Sequence, residues 1–108
     1  MTQALIAFAQ GDGSLLAIRA SDPMGTLGQT LATQYGGAAL ARDLVELGDL
    51  AVVGLMIENC IVDADGEDAV ELAGAWDLEC HRAGIASVHI FQNGLWRQET
   101  DAWAVSRT

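Results

Sequence analysis

Apolar residues fall in short runs near the two ends and in the middle of the chain, and between these runs they recur at every fourth position. This pattern predicts strands interleaved with helices. Gln3 to Ala9 and Leu15 to Ala20 are apolar runs joined by Gln10-Gly11-Asp12-Gly13-Ser14, whose glycines accept positive φ, so the first unit is a β-hairpin. Asp22 then stands as an N-cap before Pro23, which suits the first helical position. A helix opening there takes Leu27, Leu31 and Tyr35 to one face and stops at Gly36-Gly37. A second helix takes Leu40, Leu44 and Leu47 inward and ends at Gly48.

Leu50 to Val62 is the most apolar continuous stretch and predicts a central strand or strand pair, with a bulge at Gly54. From Glu67 to Ala83 the period turns helical: Ala69, Leu72, Ala73, Trp76, Cys80 and Ala83 share one side, Glu67, Glu71, Asp77 and Arg82 lie elsewhere, and Gly84 stops the element. Ser87 to Gln92 and Leu95 to Glu99 flank Asn93-Gly94, the dipeptide suited to a type I′ turn. That turn sets Phe91 opposite Trp96 and His89 opposite Gln98, with Val88, Ile90 and Leu95 on the other side. Both faces of this hairpin are partly apolar. Either both are covered, which is the favoured reading, or one is an exposed aromatic recognition patch. The fold expected is α+β, a mainly antiparallel sheet of two hairpins and a central strand with about three helices packed on it.

Composition narrows the function. The 108 residues, 51% hydrophobic and 19% charged, suit one domain over 1–108 and exclude a disordered tail. Arg19, Arg42, Arg82, Arg97 and Arg107 are the only strong bases, there is no lysine, and fifteen carboxylates bring the formal charge to −10. Sequence-independent nucleic-acid binding needs the opposite sign, and so does attachment to an anionic membrane surface. The first residues lack a basic leader and no apolar run reaches the roughly 18 residues of a membrane span, so a cytoplasmic protein with reduced Cys60 and Cys80 is expected.

Candidate chemistry is sparse. Cys60, Cys80, His81 and His89 complete the inventory of a zinc site, but neighbours on a helix point about 100° apart and no Cys-x2-Cys knuckle is present. A thiolate nucleophile at Cys80 needs a positive field, which a chain of this charge does not supply. Asp63-Ala64-Asp65-Gly66-Glu67-Asp68 invites a calcium reading. With Gly66 at the sharp turn of an EF-hand loop, however, the first and last ligands are Ile61 and Leu72, neither of which coordinates an ion. The plain alternative is a solvated turn in which Asp65 or a neighbour caps the following helix. Nucleophile elbow, phosphate-binding loop and dinucleotide fingerprint are all absent, and no cofactor is expected.

Several segments taken together carry a resemblance. Ile6-Ala7, then Asp12-Gly13, then Gly28 to Tyr35, then Leu44-Val45-Glu46-Leu47-Gly48-Asp49-Leu50, then Ile90-Phe91-Gln92-Asn93-Gly94-Leu95-Trp96 follow one another across nearly the whole chain. In this order they resemble a family of small uncharacterised proteins of phages, prophages and plasmids. The most specific parts are Leu-Gly-Asp-Leu at a helix end and the C-terminal aromatic-x-x-Gly-x-Trp hairpin. The chain departs from that pattern at Arg19 to Met24 and at Ala51-Val52. The resemblance implies a mobile-element origin and brings no activity with it.

Asp63, Asp65, Glu67, Asp68, Glu71, Asp77 and Glu79 place seven carboxylates in 17 residues with no arginine among them. Such a run is either a solubilising shell or a negative field that steers a cationic partner. The functional reading is a small acidic interaction module that binds and inhibits a basic host protein through Asp63, Asp65, Glu67, Asp68 and Glu71, with Phe91 and Trp96 as the aromatic contact. The competing classes are a small-molecule binding protein or minor enzyme with a pocket near Cys80, His81 and His89, and a self-assembling homodimer paired through an exposed hairpin edge.

Overall fold

A computed structural model describes residues 3–22, 25–73, 85 and 87–99. The N-terminal hairpin forms as its turn chemistry dictates. β1 (Gln3–Ala9) and β2 (Leu15–Ser21) pair antiparallel from Gln3↔Ser21 to Ala9↔Leu15. Gly11 and Gly13 take φ of 87° and 95°, and Asp12 closes the turn by accepting the Ser14 amide at 2.9 Å.

Helix α1 spans Leu27–Gln34 and buries Leu27 and Leu31, with Tyr35 sealed just past its end. The helix begins at Leu27 after Gly25, whose φ of 71° is not helical, and Pro23 lies outside the described residues. Asp22 therefore reaches over the turn to accept the Leu27 amide at 3.2 Å instead of capping an adjacent turn. Helix α2, Ala38–Glu46, buries Ala41, Leu44 and Val45. Leu40 is left exposed and Leu47 half-buried, so the inward stripe lies one residue from the predicted phase. Gly48 stops the helix at φ 88°.

The middle of the chain departs from expectation. β3 (Leu50–Val52) and β4 (Ile61–Val62) form a strand pair, one of the two arrangements expected, linked by a 3₁₀ turn at Ile57–Asn59, but the pair is short and lies at one edge of the sheet, not at its centre. The bulge lies between Leu50 and Val52, and Gly54 is instead pressed against Asn59. Val70–Leu72 is strand β5, antiparallel to β2 with Leu15↔Leu72, where a helix from Glu67 was expected. Leu72 is buried there while Val70 and Glu71 are exposed; over three residues that pattern fits a strand, and pairing gives β2 a second partner. The remainder of the predicted stripe, Trp76, Cys80 and Ala83, lies outside the described residues, as does His81.

β6 (Ser87–Gln92) and β7 (Leu95–Glu99) close the fold in the predicted register, Phe91↔Trp96 and His89↔Gln98, around Asn93 at φ 56° and Gly94 at φ 80°. The seven strands run β4-β3-β2-β1-β6-β7, with β5 also on β2. The sheet is mostly antiparallel, but β1 lies parallel to β6 and β2 parallel to β3. The architecture is α+β, with two α-helices among the described residues against the three or so expected. Both faces of the sheet centre are buried. Ala4, Ile6, Ile18 and Ala20 pack with the helix residues Leu31, Leu44 and Val45, while Leu5, Ala7, Ala17, Leu72, Val88 and Ile90 form a second cluster.

Candidate functional site

The acidic loop is anchored by Asp49, the residue after the helix stop. Its Oδ1 accepts the Arg19 amide of β2 at 2.9 Å and its Oδ2 accepts the Glu67 amide at 3.1 Å. Its own amide donates to the Glu67 carbonyl at 2.8 Å, and its carbonyl accepts the Asp63 amide at 3.0 Å. One residue thus ties the loop to the sheet with four hydrogen bonds. The glycines on either side of this contact are required by it. A Cβ at Gly48 would lie 2.9 Å from the Glu67 carbonyl oxygen, and one at Gly66 would lie 2.5 Å from the Asp49 Cβ. Leu47-Gly48-Asp49-Leu50 is thereby explained as a structural clamp.

Within the loop Asp63 serves as an internal acceptor. Its Oδ1 takes the Asp65 amide at 3.0 Å and its carbonyl takes the Gly66 amide at 3.0 Å. This closure replaces the helix cap expected of Asp65, because no helix follows at residues 67–72. Asp65, Glu67, Asp68 and Glu71 remain exposed, and Glu71 Oε2 accepts Gln10 Nε2 at 3.1 Å. Where β3 and β5 leave the edge of β2 uncovered, a cleft of about 330 Å³ opens. Its floor includes Leu5, Ala17 and Leu72, and Arg19, Asp65 and Glu67 are among its polar lining.

Phe91 and Trp96 do not form an exposed patch. Phe91 is 4% exposed, stacked on Phe8 with ring centroids 5.7 Å apart, and met edge-on by Trp96 at 5.3 Å. Trp96 is half-buried and its Nε1 donates to the Tyr35 carbonyl at 2.8 Å, fastening β7 to the end of α1. The pair belongs to packing in the monomer, as large aromatic rings with one polar handle commonly do.

Among the described residues, His89 and Cys60 lie on separate parts of the fold. His89 is 2% exposed under α1, with Nε2 3.0 Å from Ser87 Oγ. A Cβ at Gly28 would stand 3.3 Å from its ring and 2.8 Å from Gln98 Oε1, so the helix lies close over this part of the sheet. Burial pushes the imidazole below its ordinary range, and the Asp22 charge opposes that shift. Cys60 sits on a different part of the fold, accepting the Gly54 amide at 3.4 Å and lying 3.4 Å from Tyr35 Oη. Tyr35 Oη donates to the Gly54 carbonyl at 2.8 Å, and burial, with Cys60 beside it, holds its phenol above the usual range. Cys80 and His81 lie outside the described residues. Among the described residues no three His, Cys, Asp or Glu converge to hold a metal ion, and no helix is long and apolar enough to cross a membrane.

No family model, curated protein or solved structure matches the chain. Reasoning from sequence missed Asp49 as the organiser of the site, for its partners lie 18 and 30 residues away and leave no local spacing.

Proposed function

We propose that the chain is a small acidic interaction module of mobile-element origin, acting in the cytoplasm, that binds a basic host protein and inhibits it by covering its cationic surface. A nucleic-acid-handling or defence factor is the class of partner that carries such a surface. The observation behind this reading is the Asp49 clamp. Three hydrogen bonds from Asp49 hold the loop backbone and a fourth anchors Asp49 to β2, while Asp65, Glu67 and Asp68 stay in water, so the negative field is presented by a pre-ordered segment and little ordering entropy is lost on contact. A formal charge of −10 adds long-range steering toward a cation and repels nucleic acid.

The test is association kinetics with a basic protein captured from host lysate, measured at low and high salt. Converting Asp63, Asp65 and Asp68 to Asn and Glu67 to Gln keeps the side-chain acceptor of Asp63 while removing charge. The reading expects slower association and a flatter salt dependence with the fold intact. Unchanged rates in that variant would reduce the loop to a solvated shell.

A further inference from the structure

Among the described residues, the edge formed by β3 and β4 is unlike the rest of the surface. Of the eight large apolar side chains exposed among the described residues, five (Val52, Leu55, Met56, Ile61 and Val62) belong to this one excursion of the chain. Scattered exposed apolar residues need no explanation, but a concentration of this kind marks a contact surface. The backbone is also open there. Asp63 donates its amide to the Asp49 carbonyl, so Val62, one residue earlier in the pleat, turns its N–H and C=O away from β3. β4 is the last strand in the sheet order, and among the described residues no strand lies beyond it.

Charge selects the occupant. Glu58 is the only charged residue from Ala51 to Val62, and the chain continues directly into Asp63, Asp65, Glu67 and Asp68. Arg42, on the helix that contacts the 3₁₀ turn, is paired with Glu46 at 3.5 Å. A second copy laid edge to edge would bring two such acidic flanks together, each on a chain of charge −10, and opposed like charges destabilise strand pairing. We infer that the β4 edge docks an extended cationic segment of a partner protein. That segment adds as a strand beside Val62, setting alternate apolar side chains on Val52 and Ile61 and its basic ones toward the acidic loop. This rests on the proposed binding of a basic partner and names how that partner is engaged.

Isotopically labelled protein titrated with a short synthetic peptide of alternating arginine and valine tests it, against an arginine–serine and a glutamate–valine peptide. The expected result is shifts at Val52, Ile61 and Val62, slowed exchange of the Val62 amide, affinity roughly tenfold or more above that of the arginine–serine peptide, and no binding of the glutamate–valine peptide. Leu55→Ser combined with Ile61→Thr, surface changes whose fold the same spectra verify, should lower arginine–valine affinity to the arginine–serine level. Equal affinity for both cationic peptides, with shifts confined to residues 63–71, would overturn the docking edge while leaving the acidic-loop reading standing. Failure of both cationic peptides to bind at low salt would remove the two together. A concentration-dependent mass in peptide-free solution, with shifts at the same three residues, would assign the edge to a second copy and overturn the inference.

Discussion

Replacing Asp49 with alanine removes both side-chain acceptors that join the acidic loop to β2, and leaves the Arg19 and Glu67 amides without their partners. A hydrogen bond to a charged acceptor contributes about 1.5–3 kcal/mol when sheltered. Arg19 and Glu67 are both exposed, so water takes up the abandoned amides and the loss for each falls toward ~1 kcal/mol. The expected cost of Asp49→Ala is therefore about 2 kcal/mol in denaturant unfolding. Asp49→Asn should lie between, at about 1 kcal/mol, because the amide retains one acceptor oxygen and turns a donor toward the other N–H. Hydrogen exchange supplies the local reading. The Glu67 amide should lose its protection in Asp49→Ala while those of Ile6 and Ile90 keep theirs relative to global stability. A loss below about 0.5 kcal/mol, with loop resonances unmoved, would show that Asp49 does not organise the loop.

Gly48→Ala places a methyl group against the Glu67 carbonyl at a φ of 88°, and should cost about 1–2 kcal/mol in the same assay; a neutral result would deny the close approach. Trp96→Ala should destabilise by about 2–3 kcal/mol, less than a fully buried aromatic, since the ring is half-exposed but holds the Tyr35 carbonyl and the edge of Phe91. A loss under about 1 kcal/mol would return Trp96 to the surface. His89 is held below its ordinary pKa in the fold, so the unfolded chain binds the proton more readily. Stability is then whole above the unfolded value of about 6.5 and declines as pH falls below it, with a slope of at most about 1.4 kcal/mol per pH unit. Comparing unfolding free energies of the native chain and His89→Gln from pH 7.5 to 5 isolates this contribution, and parallel curves would refute it.

The two hairpins were legible because their turns are decided within a few residues. Asn93-Gly94 and the Gly11-Asp12-Gly13 segment satisfy positive φ locally and thereby set the registers on either side. The order of strands was not legible, since β1 meets β6 across most of the chain and nothing local to Ala4 or Ser87 encodes that pairing. Leu50 to Val62 misled because apolar composition reports a tendency to burial and not its fulfilment; the run bends at Gly54 around Asn59 and leaves Val52, Leu55, Met56, Ile61 and Val62 outside. Val70-Glu71-Leu72 fits a helical stripe and a strand equally well over three residues, and the vacant stretch of β2 decided between them. In α2 the greater hydrophobicity of Leu40 pointed to the wrong phase, whereas Ala41 is small enough to sit against the sheet. The acidic loop could be found from its charge, but the clamp that shapes it could not.

The parallel contact between β1 and β6 also has a consequence during synthesis. β1 is an interior strand of the sheet, and its neighbour on one side, β6, follows it in the chain by a long interval. Hairpins close in ~1–10 μs, so β1 and β2 can pair as soon as both are free. Ser87 is made 66 residues after Ser21, on the order of 3–13 s later at ~5–20 residues per second. Throughout that interval the nascent chain carries an apolar strand, Leu5-Ile6-Ala7-Phe8, with one side of its backbone unclaimed. Translation speed and chaperone access, and not only final stability, therefore decide how much of this protein reaches its folded form.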